Sequence, residues 1–234
     1  MSAGGPPGFL RATRAVFLKD LTLEWRTLDA LSAMGLFSLV VMVVFSFAFD
    51  RSLQQQIGSA RLVPGVLWVT IAFASIVGLT RSFHIEHQRD SITALALAPV
   101  DRAAVFAGKA GANLAQVLVL EAVLLPLSAV LFDFDLVAVG AEMLLLVVLH
   151  TVALVEIGTL FAAIAARLGR GEALLATLLL PASTPVFLSA VLSTHHVLAG
   201  EGLAPAQRWL LVTAGLDVLY FFVAMLTFEF VLDE

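Results

Sequence analysis

Six long apolar stretches govern what this chain can fold into. The clearest are "GLFSLVVMVVFSFAF" from Gly35 and "LLLVVLHTVALVEIGTLFAAIAA" from Leu144. In hydrocarbon no water is present to bond a segment's N–H and C=O groups, so each crossing must be a helix or belong to a closed barrel. A barrel needs ten-residue segments that alternate apolar and polar side chains, and that alternation is missing. Hydrophobic residues make up 60% of the chain, against roughly 45–50% in soluble domains. The sequence therefore reads as an all-α, polytopic membrane protein.

A bilayer core of about 30 Å takes roughly 20 helical residues. On that measure six transmembrane helices are expected, from Leu31 to Phe49, Val63 to Thr80, Ala103 to Leu131, Leu136 to Ala166, Ala173 to Thr194 and Trp209 to Val231. The third and fourth exceed a bilayer's need and should tilt, kink or project into water. The opening "MSAGGPPG" (residues 1–8) reads as a flexible tail that lacks the pattern of a cleavable signal peptide, so the first span should be retained. Residues 9–28 form a separate unit before the six-span domain of residues 29–234.

The formal net charge of −5 conceals an asymmetry. Arg11, Arg14, Lys19, Arg26, Arg81, Arg89, Arg102, Lys109, Arg167 and Arg170 fall on one side of the expected membrane, and only Arg51, Arg61 and Arg208 on the other. The positive-inside rule then places both termini in the cytoplasm. Within "FLRATRAVFLKDLTLEWRTL" (residues 9–28), Leu10, Phe17, Leu21, Trp25 and Leu28 share one helical stripe while Arg11, Lys19 and Arg26 lie off it. That is the pattern of an amphipathic helix lying in the cytoplasmic interface, with a soluble helix packed on the loops as the competing reading. On the opposite side "DRSLQQQIGSAR" and "DFD" leave almost no external domain.

Several polar residues fall within or near the spans, where ionisable groups are costly and so draw attention. These are Glu121, Glu142, His150, Glu156 and Asp217. Glu142 and Glu156 are fourteen residues apart and within about 40° on the helix face, so they are candidates for one polar seam. Carboxyls hydrogen-bonding between helices are favoured over a transport role. Met143 and His150 share a face that a haem ligand pair would need, but packing and bundle hydrogen bonds account for them more simply. The adjacent His195 and His196 point about 100° apart on a helix, which suits interfacial hydrogen bonds better than a shared metal. His84, Glu86 and His87 have the wrong spacing for a zinc motif. "AGKAG" around Lys109 lacks the first glycine and the Ser or Thr of a phosphate loop. The absence of cysteine excludes disulfides, thiolate metal sites and cysteine nucleophiles.

Pro181 and Pro185 in "LLLPASTPVFL" should break or sharply kink the fifth span, with Ser183 and Thr184 placed to take up freed carbonyls. Pro126 lies in the third span, and no internal repeat is visible. The passage "TRSFHIEHQRDSITALALAP" (residues 80–99) is polar through Arg81, Glu86, Arg89 and Asp90, then apolar at Ile92, Leu95 and Leu97 until Pro99. It reads as a cytoplasmic docking surface, with Phe83, Glu86, Ile92, Leu95, Leu97 and Pro99 as the gripping residues; a solvated loop is the plainer reading.

Three passages carry a family resemblance. "VPGVLWVTIAFASIVGLTRSFHIEHQRDSITALALAP" resembles the second span and first cytoplasmic loop of the CcmB-type haem exporter permeases of cytochrome c maturation, a branch of the ABC-2 exporters. "RGEALLATLLLPASTPVFL" is similar to that family's fifth span, and "FLKDLTLEWRT" to its cytoplasmic elbow helix, which assigns Phe17, Leu21 and Trp25 to the elbow. The Pro-Gly-x-x-Trp stretch at 64–68 and the Leu-Pro-x-x-x-Pro stretch at 180–185 separate this branch from ABC-2 permeases in general. The chain departs from the usual ABC-2 loop, with Asp90 at the Gly position and Thr93 at the Glu.

The resemblance implies a permease subunit of the bacterial inner membrane with no catalytic site of its own, driven by ATP hydrolysed on a separate CcmA-type ATPase. It further implies haem-handling partners of the CcmC, CcmD and CcmE types, a homodimer within the complex, and release of a haem-loaded periplasmic chaperone. No cofactor or metal is expected on this chain itself, haem being cargo or a handled ligand, and no nucleic acid is expected as a partner. Three alternatives are an ABC-2 permease for lipid, drug or glycan, an intramembrane enzyme or carrier using Glu142, His150 and Glu156, and a scaffold for haem-handling proteins.

Overall fold

Each apolar run becomes a helix in the computed structural model, which describes residues 8–88, 100–168 and 171–233. Among the described residues there are eight helices and no strand: α1 (Phe9–Thr27), α2 (Asp29–Ala48), α3 (Arg51–Ile57), α4 (Ser59–Gln88), α5 (Arg102–Phe132), α6 (Leu136–Arg167), α7 (Gly171–Leu198) and α8 (Gln207–Asp233). Six are long and apolar enough to cross a membrane, and each end lies within four residues of the expected span. The 31 residues of α5 and 32 of α6 correspond to about 46 and 48 Å at 1.5 Å rise per residue, well beyond a bilayer core.

The core runs along α4 and α6. Of their most apolar windows 72% and 61% is buried, against 22% for α2 and 17% for α8. α2 and α8 therefore stand at the periphery, and Leu36, Val40, Val44 and Phe47 on one, with Leu211, Phe222, Leu226 and Phe230 on the other, remain exposed. Helices come close where a side chain is missing, as is usual between membrane helices that pack without a hydrophobic drive. A Cβ on Gly108 of α5 would stand 2.7 Å from both Val16 Cβ and the Thr13 carbonyl of α1. One on Gly158 of α6 would stand 2.6 Å from Leu79 Cδ1 of α4.

Side-chain oxygens start the shorter connections. Asp50 accepts from the Leu53 N–H to open α3, Asp101 from the Ala103 N–H to open α5, and Asp135 from the Val137 and Ala138 N–H groups to open α6. The seven-residue α3 was not anticipated: the sequence suggested only a short external loop.

The fifth span also differs from expectation. α7 stays α-helical through Pro181 and Pro185, so the prolines do not interrupt the helical secondary structure. They remove the bonds to the carbonyls of residues 177 and 181. Ser183 Oγ donates instead to Leu179 O (2.6 Å) and Thr184 Oγ1 to Leu180 O (2.9 Å), while Tyr220 Oη of α8 donates to Ala182 O at 2.6 Å. Hydroxyl support is present, but it serves neighbouring carbonyls.

The turn from α1 into α2 is made by one residue. Leu28 has φ 55°, a left-handed conformation in which its Cβ is crowded. Buried Glu24 closes the junction, its Oε1 accepting the Leu31 N–H at 2.8 Å. Leu28 is 45% exposed, so little packing is lost on shortening it. Leu28→Gly should stabilise the protein by about 0.5–1 kcal/mol and raise the detergent-solubilised unfolding midpoint, whereas a lower midpoint would show that the leucyl side chain outweighs the strain.

Candidate functional site: the polar interior and the cytoplasmic seat of α1

Two levels of polar contact cross the bundle. At the first, His150 of α6 is completely buried, with Nδ1 2.7 Å from Leu146 O and Nε2 3.0 Å from Ser189 Oγ of α7. Ser189 Oγ donates to Trp209 O of α8 at 2.8 Å and accepts from Thr213 Oγ1 at 2.7 Å. Trp68 of α4 sets its ring 5.4 Å from the imidazole and donates its indole N–H to Thr194 Oγ1 of α7 at 2.9 Å. Four helices are thus joined through groups that would each be costly if left alone in a dry interior. Each ring nitrogen of His150 lies within hydrogen-bond distance of a neighbour in the bundle. Met143, also buried, packs in the core.

At the second level α5 and α6 run antiparallel and are joined twice. Asn113 Nδ2 donates to Thr159 Oγ1 at 3.0 Å, and Thr151 Oγ1 donates to Glu121 Oε1 at 2.6 Å. Eight residues separate the two bonds on each helix, so they fix one register. Glu156 lies within electrostatic reach of Asp217 of α8 instead, and Glu156 Oε2 and Asp217 Oδ1 are both buried without a hydrogen-bond partner among the described residues. Glu156 also lines a crevice of 150 Å³ with Phe106, Ala110, Leu114, Val155 and Phe221. Glu142 lies at the far end of α6 against the last loop, 3.5 Å from where a Gly202 Cβ would stand. Glu142 and Glu156 therefore have separate surroundings, and His150 is committed to a third. The structure does not gather these three residues into one constellation.

The histidines near the loop each have their own partner. His195 Nδ1 lies 2.8 Å from Ala60 O, and His196 Nδ1 lies 2.6 Å from Glu201 Oε2. Among the described residues no group of three or more His, Cys, Asp or Glu is placed to hold a metal ion. The side chains of His84, Glu86 and His87, and all of Ile92, Leu95, Leu97 and Pro99, lie outside the described residues.

Phe83, the remaining member of the expected docking set, is buried, with Lys109 Nζ 4.7 Å from its ring centroid. It is thus part of the interior among the described residues. Lys109 of α5, itself buried, pairs with Asp20 Oδ2 of α1 at 3.1 Å, and the other oxygen of Asp20 meets Lys19 Nζ at 3.0 Å. The buried residues of α1 are Ala12, Val16 and Glu24, and it meets α5 through Thr13 O, Val16, Phe17 and Asp20. Of the expected stripe Phe17 and Leu21 are half-buried, whereas Leu10, Trp25 and Leu28 stay exposed. Phe17 packs over Gly111, where a Cβ would stand 3.2 Å from its ring.

The sequence reading missed the Asp20–Lys109 pair and the anchor at Trp68. Signals for both were present: Gly108 and Gly111 flank the lysine in "AGKAG", and Trp68 closes the Pro-Gly-x-x-Trp stretch.

Six helices long and apolar enough to cross a membrane, several of them joined by interior polar contacts, define a multi-pass α-helical membrane protein. More narrowly, the chain belongs to the CcmB protein family, whose model matches residues 11–232. It is 31% identical over 191 residues to heme exporter protein B of Bradyrhizobium diazoefficiens, covering 82% of this chain and 84% of that protein. The protein of the same name from Rhodobacter capsulatus is 34% identical over 179 residues, covering 75% and 78% of the two chains. That from Paracoccus denitrificans is 30% identical over 191 residues, covering 80% and 84%.

Proposed function

We propose that this chain is the permease subunit of an ATP-driven haem export complex serving cytochrome c maturation, with ATP hydrolysed on a separate CcmA-type subunit. The observation that carries the reading is the family match along nearly the whole chain, joined by relatives named as heme exporters. The polar interior supports a permease over an intramembrane enzyme or carrier, because Glu142, His150 and Glu156 lie in separate surroundings and do not form one site. In this reading the chain lies in the bacterial inner membrane with both ends cytoplasmic, following the distribution of Lys and Arg. The exposed Leu10, Leu18, Trp25 and Leu28 of α1 face the lipid interface. A second copy and CcmC-, CcmD- and CcmE-type proteins complete the assembly, and the ATPase acts at the cytoplasmic segment that follows α4.

Deleting the gene and staining membranes for covalently bound haem tests the proposal. Holo-cytochrome c should disappear while b-type haem persists, and return on complementation. Normal holo-cytochrome c in the deletion strain would contradict it.

A further inference from the structure

The "AGKAG" motif is left unexplained by the proposed function, and so is the most deeply buried cation described. Lys109 is 2% exposed. A lysine in such a place needs a reason, because its long stem can normally carry the ammonium out to water. Here the stem instead brings Nζ to a point where three helices meet. Asp20 Oδ2 of α1 is 3.1 Å away and the Phe83 ring of α4 is 4.7 Å away. An ammonium within about 6 Å of a ring centroid is held by the ring's negative face.

The surroundings are built around this contact. Gly108 and Gly111 remove the side chains that would hold α1 off α5, a Cβ at Gly108 meeting backbone at Thr13 and the Val16 side chain at 2.7 Å. One helical turn beyond, Asn113 bonds α5 to Thr159 of α6. α1 is therefore clamped to α5, and α5 is keyed into the core. Phe83 stands five residues before the end of α4, at the cytoplasmic end of that helix on the Lys and Arg distribution.

We infer that Asp20, Lys109 and Phe83 form a latch that makes α1, the cytoplasmic end of α4 and α5 move as one unit, with Lys109 as the positioning residue of the ATP-driven step. The inference rests on the proposed function for its consequence and on the geometry alone for the latch. A plain structural pair and a latch differ in one respect. If the pair merely avoids a stranded charge, removing both charges relieves the defect; if it transmits motion, neutral partners cannot replace it.

The test uses the whole complex from native membranes, with Lys109→Met, Asp20→Asn and their combination, alongside Lys109→Arg. Two quantities are read: the amount of assembled complex, and holo-cytochrome c formed relative to ATP hydrolysed. The double variant should assemble close to the wild-type amount yet stay uncoupled by about tenfold or more, while Lys109→Arg should recover at least about half of the coupling. Coupling that returns with assembly in the double variant would overturn the latch. An arm independent of transport uses the absence of native cysteine. Crosslinking of Phe17→Cys to Gly111→Cys by a short bifunctional thiol reagent should slow about threefold or more when Lys109→Met frees α1. An unchanged rate would overturn the latch even if the wild-type complex proved to export nothing, a result that would instead count against the proposed function.

Discussion

Leu95→Asp should abolish recovery of the ATPase subunit with this chain while leaving the chain's own membrane level unchanged. The residue belongs to the apolar run Ile92, Leu95, Leu97 that follows a polar stretch on the basic side of the chain. A carboxylate placed in a desolvated contact costs about 2–4 kcal/mol, enough to lower binding by about thirty to nine hundred times. Leu53→Asp, on α3 at the opposite end of the bundle, should leave recovery intact. Glu86→Lys should weaken association more gently, since a charge at the rim chiefly alters encounter. Full recovery with Leu95→Asp would move the docking surface elsewhere, and the exposed face of α1 at Leu18 and Trp25 becomes the next candidate.

Trp68→Ala carries the largest expected loss of stability. The side chain is 1% exposed at the join of α4, α6 and α7, and it holds both Thr194 and the face of His150. Removing it leaves a cavity that rigid helices fill only in part, at about 3–5 kcal/mol, and it strips Thr194 of its donor. Trp68→Phe keeps much of the volume and loses the indole N–H, so its cost should be nearer 1–2 kcal/mol. Thermal unfolding in detergent should rank wild type above Phe above Ala. Equal midpoints for Phe and Ala would mean that the hydrogen bond, and not the packing, holds this level together.

The spans were legible because hydrophobicity in lipid is a strong local signal, and a helix is almost the only way to satisfy the backbone there. What escaped was relational. Lys109 reads as one more cytoplasmic cation until α1 is seen to bring Asp20 within 3.1 Å of it. Glu142 and Glu156 share a helical face on paper, but α6 is flanked by different neighbours at its two ends, the Gly202 loop and Asp217 of α8. The prolines of α7 argued for a break because local rules treat the helix as isolated. In the bundle α7 stays α-helical through both prolines, and Tyr220 reaches across from α8 to Ala182 O. The apolar stripe of α1 is only partly exposed: Leu10, Trp25 and Leu28 stay open, whereas Phe17 packs over Gly111 beside the contact of Val16 with Gly108.

The most direct test of the central claim is to purify the tagged chain from native membranes, identify what accompanies it, and assay the assembly in vesicles. The account predicts a separate ATPase chain in comparable amount, and haem delivery to an acceptor on the opposite side only when that chain and ATP are both present. Haem delivery by this chain alone, with no ATPase in the vesicles, would contradict it.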